Sequence, residues 1–149
     1  GGAAPPAPVG TETRLQAAPQ TIGPAVTTVE LVVDLASVPA AEPTLLQVAV
    51  ELPPQLTFAA SNRLLPARTL ATLDGDFVDA RFVVMCGDAQ NVPAAALGLG
   101  PLFKLRLQPT SPRVPGTWQV RLHHLRASTR DGQPVAVDPN PAVVDVVVQ

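Results

Sequence analysis

The chain has 149 residues, of which 46% are hydrophobic and 15% are charged, and its mean hydropathy is +0.24. A disordered chain is excluded, because disorder needs low hydrophobicity and a high net charge, and no apolar run is long enough to predict a transmembrane helix. The net charge of −2 and the aromatic content of 3% supply neither the basic surface nor the stacking rings that nucleic acid binding requires.

The first residues predict an extended tether rather than a folded element. Residues 1–10 contain only Gly, Ala, Pro and Val, and Pro5, Pro6 and Pro8 lack backbone donors and fix φ. We therefore divide the chain into a tether over 1–14 and one domain over 15–149. A tether of this composition occurs after the lipidated cysteine of bacterial lipoproteins and also between domains, and the sequence leaves both open. The Arg-, Ala- and Pro-rich composition is typical of a GC-rich bacterium.

Short segments with a period of two recur along the rest of the chain, which indicates half-buried antiparallel strands. Turn-forming Pro and Gly clusters separate them, and Asp74-Gly75 and Asp131-Gly132 are the tightest turn signals. Only residues 92–99 could form a helical turn. The sequence predicts an all-β, two-sheet antiparallel sandwich of seven to nine strands. The six clearest strand segments are 28–35, 45–52, 77–86, 102–107, 117–122 and 142–148.

The alternation within each strand also predicts the core. Burying one large apolar side chain contributes about 1.5–3 kcal/mol before conformational entropy is subtracted. The predicted inward residues are Val48, Val50, Phe82, Val84, Phe103, Leu105, Trp118, Val120 and Leu122.

Residue types that could carry chemistry are few and poorly placed. Cys86 is the only cysteine, so no disulfide forms within the chain, and its apolar neighbours predict a small buried hydrophobe. His123 and His124 are consecutive, and neighbours on a regular strand point to opposite faces, so we expect no shared metal. The apolar phase slips by one residue between Leu122 and Leu125, which predicts a β-bulge at the histidines.

The acidic stretch Asp74, Asp76 and Asp79 lacks the ligand spacing of an EF-hand loop, so we interpret it as a solvated turn. There is no nucleophile-elbow motif, no phosphate-binding glycine loop and no HExxH motif. We therefore expect no catalytic centre, no metal and no cofactor.

The order of several segments resembles the cohesin domains. Residues 26–39 (VTTVELVVDLASVP) resemble the first long cohesin strand and the turn after it, 45–52 resemble the next strand, and 55–61 resemble the stretch beyond it. Residues 100–107 (GPLFKLRL) resemble the GxLxxLxFxV strand, and 127–135 (ASTRDGQPV) resemble the late DxDGNPI turn. The resemblance covers most of 27–149. It departs from the family at Leu52-Pro53-Pro54, where cohesins have Tyr/Phe-Asp-Pro.

The resemblance implies a nine-stranded jelly-roll sandwich and a non-catalytic protein-binding module of a secreted or surface-anchored bacterial protein. Its implied partner is a dockerin-like module or another surface protein, with no nucleic acid and no membrane insertion of the domain itself. A structural spacer is the alternative, and a carbohydrate-binding module is a third, which the scarcity of aromatic residues disfavours.

In cohesins the partner docks on the outer face of the sheet whose strands match 45–52, 80–86, 102–108 and 117–123 here. Strand parity then implies a face with four cations suited to an acidic partner. The predicted docking residues are Glu51, Arg81, Met85, Lys104, Arg106, Arg121 and His123.

Overall fold

The computed structural model describes residues 10–87 and 96–149, and within them all regular structure is β. The other residues include the first nine of the predicted tether and residues 92–95 of the predicted helical turn. No helix in the described part is long and apolar enough to cross a membrane. The strands are β1 (Arg14–Ala17), β2 (Gln20–Ile22), β3 (Val29–Ser37), β4 (Leu45–Glu51), β5 (Leu56–Phe58), β6 (Leu64–Pro66), β7 (Thr72–Val78), β8 (Arg81–Gly87), β9 (Gly100–Pro109), β10 (Gly116–Ser128), β11 (Pro134–Val135) and β12 (Ala142–Val148).

The strands form two sheets. One has five strands in the order β1-β3-β9-β5, with β6 also paired to β9. The other has seven strands in the order β2-β12-β10-β4-β8-β7, with β11 also paired to β10. Each pairing is antiparallel except that of β2 with β12. The all-β, two-sheet prediction is confirmed, and the described residues contain twelve strand segments rather than seven to nine because several are only two to four residues long.

The core lies between the two sheets, and alternation along each strand fills it. On β4, Leu46, Val48 and Val50 are buried, and on β9, Leu105 and Leu107 are buried. Eight of the nine predicted core residues are buried. The ninth, Trp118, is half-buried and packs against the core from the end of β10. The parity of the strands therefore predicted correctly which side chains face inward.

One hairpin corrects two sequence predictions. Residues 77–86 are not a single strand, because β7 ends at Val78 and β8 begins at Arg81. Asp74-Gly75 is not a turn but lies within β7, opposite Met85 and Val84 of β8. The chain reverses instead at Asp79, whose φ is 56°. The acidic stretch is thus mostly strand, and only its last member belongs to a turn.

The predicted bulge is present on β10. The pairing of β10 with β4 shifts register between His123 and Arg126, and His124 has a φ of 53°. The turn at Asp131-Gly132 is also confirmed: the Gly132 N–H donates to the Thr129 carbonyl and the Thr129 N–H to the Gln133 carbonyl, each at 2.9 Å. The bulge reverses the outward parity of β10 beyond His123.

Candidate docking face

The outer face of the seven-stranded sheet gathers side chains from four neighbouring strands, β10, β4, β8 and β7. The register places Gln47 beside Met85, and Met85 beside Asp74. The next row places Ala49 beside Val83, with His123 opposite Ala49 on the other side. We call this surface the β4–β8 face.

The centre of the β4–β8 face is apolar. Ala49 is buried, Val83 and Met85 are half-buried, and Val78 at the edge is 57% exposed. A shallow depression of about 550 Å³ lies over Ala49 and Val83. An apolar centre surrounded by a polar rim is the usual anatomy of a protein interface.

Charges of opposite sign border this apolar strip on its two sides. Arg121 and Arg126 lie on β10, whereas Asp74 and Asp76 lie on β7, at the far edge of the sheet. All four side chains are exposed. A partner that paired with both borders would need acidic groups over β10 and basic groups over β7, and it would then bind in one orientation.

The two histidines lie on the same side of β10, so the expectation that they point to opposite faces is wrong. Their Nδ1 atoms are 2.7 Å apart and their ring centroids 4.4 Å apart. The αL backbone of His124 turns its side chain back over His123. Bulge geometry, which the sequence did indicate, thus overrides the strand alternation from which the expectation was drawn.

Burial and the neighbouring cationic groups lower the pKa of His123. Burial is the main cause that lowers the pKa of His123, and the neighbouring His124, Arg81 and Arg121 lower it further, while Glu51 raises it. The Glu51 Oε2 atom lies 3.1 Å from His123 Nε2, but it lies to one side of the N–H direction, so this buried nitrogen has no hydrogen bond of good geometry.

Five of the seven predicted docking residues belong to the seven-stranded sheet. Glu51 is on β4, Arg81 and Met85 are on β8, and Arg121 and His123 are on β10. Each lies at an outward position of its strand.

Lys104 and Arg106 do not join them, because β9 belongs to the five-stranded sheet. Lys104 faces the opposite side of the sandwich, where its Nζ lies 3.7 Å from Glu30 Oε2, and Arg106 is paired in register with Glu30. The prediction of four cations on one sheet is therefore wrong, and with it the reason for expecting a purely acidic partner.

Sequence reasoning missed Arg126, Asp74 and Asp76 as members of the face. The phase slip at Leu125 was the available signal for Arg126, since a bulge moves the next outward position from 125 to 126. The aspartates were missed because Asp-Gly was interpreted as a turn.

The remaining candidates show no reactive arrangement. The Cys86 thiol is buried, as predicted, and burial raises its pKa to about 12, which opposes formation of a thiolate. Among residues 10–87 and 96–149, no three His, Cys, Asp or Glu side chains converge as ligands of a metal ion.

Several solved structures that are similar to this chain are cohesin modules. A type I cohesin from Clostridium thermocellum (OlpC), solved in complex with a dockerin, has a TM-score of 0.72 at 14% identity, covering 99% of this chain and 100% of that chain. A non-cellulosomal cohesin from the archaeon Archaeoglobus fulgidus has a TM-score of 0.65 at 15% identity, covering 91% of each chain. The cohesin module of a Clostridium perfringens family 33 glycoside hydrolase has a TM-score of 0.71 at 10% identity, covering 94% of this chain and 100% of that chain.

The chain therefore has a cohesin-like fold. No family model and no curated protein matches it in sequence.

Proposed function

We propose that this chain is a non-catalytic protein-binding module whose partner docks on the β4–β8 face. The observation that carries the proposal is the apolar strip of Ala49, Val83 and Met85 on an outer sheet face, bordered by exposed arginines on one side and aspartates on the other. An outer sheet face with no partner is expected to be polar. Support also comes from the fold, since cohesins of this fold have been solved with dockerins bound.

The opposite face of the sandwich is a weaker candidate. Its outward cation Lys104 is paired with Glu30 within the same sheet, so part of its charge is already neutralised. The two faces therefore provide matched sets of cations, Arg81 with Arg121 and Lys104 with Arg106, which differ in the sheet that bears them.

Binding of the chain to a panel of dockerin modules, measured by surface plasmon resonance, tests the proposal. The panel includes the dockerins crystallised with the Clostridium thermocellum cohesins. Met85→Glu places an unpaired charge in the apolar strip, and we expect it to weaken binding by about tenfold or more. Arg81→Glu/Arg121→Glu is expected to weaken binding, and Lys104→Glu/Arg106→Glu to leave it unchanged.

Two outcomes contradict the proposal. If the wild-type chain binds no module of the panel, the result favours a structural spacer. If the Lys104/Arg106 reversal weakens binding as much as the Arg81/Arg121 reversal, the docking surface is not the β4–β8 face.

A carbohydrate-binding role finds no support at the single tryptophan. The Trp118 Nε1–H donates to the Val114 carbonyl at 2.9 Å, and the indole ring lies against Gly116. One ring held in this way provides no flat aromatic platform for a sugar. A glycan-array signal that is lost in Trp118→Ala is the outcome that contradicts this reading.

We further propose that the module works outside the cytoplasm, in a surface protein or lipoprotein. The Pro- and Ala-rich sequence of residues 1–10 and the cohesin-like fold support this location. Digestion of intact cells that carry the native precursor tests it, since an exposed module is cleaved by external protease and an internal one is protected.

A further inference from the structure

The histidine pair on the bulge of β10 has a geometry that the docking proposal does not use. The two Nδ1 atoms lie 2.7 Å apart, closer than two protonated nitrogens can approach. One of the nitrogens must therefore accept a proton that the other donates, so at least one Nδ1 lone pair points toward its neighbour.

The surroundings of His123 indicate which nitrogen carries the lone pair. Glu51 Oε2 lies 3.1 Å from His123 Nε2, and a carboxylate near Nε2 favours the tautomer with its proton on Nε2. Glu51 is half-exposed at the side chain, at 50%, so a small rotation aligns it with that N–H. Nδ1 of His123 is then the acceptor, and His124 Nδ1 donates to it.

After that rotation of Glu51, the arrangement would match a common feature of metal centres, in which a ligating imidazole donates its other ring N–H to a carboxylate. We propose that His123 and His124 bind one borderline divalent transition-metal cation, such as Zn²⁺, Cu²⁺ or Ni²⁺, through their two Nδ1 atoms. The imidazole nitrogen is a preferred ligand of each of these cations. The inference does not rest on the docking proposal.

The distances require little movement. With metal–nitrogen bonds of about 2.0–2.1 Å, two neighbouring ligand nitrogens lie about 2.9–3.4 Å apart. The pair must open by about 0.2–0.7 Å, with tetrahedral Zn²⁺ at the upper end of that range, and rotation of the exposed His124 side chain can supply this movement. The His124 proton moves from Nδ1 to Nε2, so binding to the neutral pair needs no net proton release. Water or a partner's side chain fills the remaining coordination positions.

The backbone conformation of the bulge holds the two imidazoles close together. His124 adopts a φ of 53°, a conformation that costs a non-glycine residue free energy. Regular pairing with β4 on both sides of the register shift, at His123 with Ala49 and at Arg126 with Gln47, fixes this backbone. The two imidazoles are therefore brought together before any cation arrives. The positive charges of Arg81 and Arg121 act on His123 and oppose a cation, whereas the Glu51 carboxylate favours one.

Titration of the tag-free chain with Zn²⁺, followed by ¹H–¹⁵N spectra of the imidazoles, tests the proposal. The chain contains two histidines, and its single thiol is buried, so a change in the ring signals reports on this pair. We expect one Zn²⁺ per chain, with both Nδ1 resonances shifted. His124→Gln removes one ligand and is expected to weaken Zn²⁺ binding by at least about tenfold. Glu51→Gln keeps both ligands and is expected to weaken Zn²⁺ binding by less than His124→Gln does.

Asp145→Asn is the matched control, because Asp145 is an exposed carboxylate on the same sheet, opposite Gln119 and away from the histidine pair. The Zn²⁺ affinity of this variant should equal that of the wild type. Circular dichroism verifies that each variant folds. If His124→Gln does not fold, Glu51→Gln provides the independent measurement of Zn²⁺ affinity. The proposal is overturned if the ring signals of the wild type do not shift at about 1 mM Zn²⁺, or if His124→Gln and Glu51→Gln bind Zn²⁺ as the wild type does.

Discussion

Gly75 occupies a position in β7 where a side chain has no room. A Cβ at this residue would lie 2.4 Å from Phe82 Cζ and 2.8 Å from Leu64 Cδ2. Phe82 is buried and packs against Phe58 and Phe77, so its ring cannot move away freely. Gly75 therefore allows β7 to approach an aromatic cluster closely, and it does not form a turn.

We expect Gly75→Ala to lower the free energy of unfolding by about 1–3 kcal/mol, because the added methyl overpacks the core. Gly98→Ala is the control: a Cβ at Gly98 meets nothing within 4 Å, so its effect should be within about 0.5 kcal/mol of zero or slightly stabilising. Urea denaturation of both variants measures the difference. Equal effects would show that Phe82 yields to the new methyl.

The Cys86 thiol is a second residue whose behaviour follows from its burial. It is 1% exposed, and burial raises its pKa from 9.0 to about 12. A pKa of about 12 in place of 9.0 lowers the thiolate fraction near neutral pH about a thousandfold. We expect iodoacetamide to label the native chain slower than the unfolded chain by at least that factor. Labelling of the native chain at the rate of a free thiol would contradict the buried placement.

Turn and strand elements show where sequence reasoning succeeded and where it failed. Period-two alternation predicted the inward residues of β4, β8 and β9, because the face of the sheet to which a side chain points depends only on its position along its own strand. The prediction of a turn at Asp74-Gly75 was wrong, because packing of Gly75 against Phe82 overrides the preference of the Asp-Gly dipeptide for turns. The reversal at Asp79 has no glycine to mark it.

Membership of a sheet could not be predicted in the same way. The alternation in β9 correctly placed Leu105 inward and Lys104 outward, but it carries no information on which strands flank β9. Its neighbour β3 is some seventy residues away in sequence, with Glu30 opposite Arg106. Two docking residues were consequently assigned to the wrong sheet, although each was assigned to the correct side of its strand.

The ion pair between Arg14 and Asp138 joins β1 to the segment between β11 and β12, with Arg14 Nε donating to Asp138 Oδ2 at 3.0 Å. The backbone N–H of Asn140 donates to the same carboxylate, and this bond is the main cause that lowers the Asp138 pKa below 3.8, followed by the contact with Arg14. The ionised form is thus favoured in the folded state.

A lowered pKa in the folded state contributes stability above the unfolded pKa of 3.8 and loses it as the pH falls through the folded value. We expect Asp138→Asn to lower the free energy of unfolding near neutral pH, and the difference from the wild type to shrink as the pH falls below 3.8. Thermal unfolding across this range measures it. A constant difference at all pH values would assign the effect to lost packing rather than to the charge.

At the scale of the whole molecule, one continuous core joins the two sheets. It includes Leu31 and Leu105 from the five-stranded sheet, and Val84 and Val120 from the seven-stranded sheet. Two sheets that share a single core are expected to unfold together, because neither can retain its apolar face without the other. Trp118 and Cys86, both on the seven-stranded sheet, report on its unfolding.

We expect Leu105→Ala, a cavity-creating change on the five-stranded sheet, to lower the free energy of unfolding by about 2–5 kcal/mol. Because the sheets unfold together, the same loss should appear in Trp118 fluorescence, in Cys86 labelling and in far-ultraviolet circular dichroism, although the first two probes lie on the other sheet. Leu65→Ala on β6 is the matched control, since Leu65 is half-buried and lies beside the outward Lys104, and its cost should be smaller. If Leu105→Ala shifts the circular dichroism transition but leaves the Trp118 and Cys86 transitions where they are, the sheets are separate cooperative units.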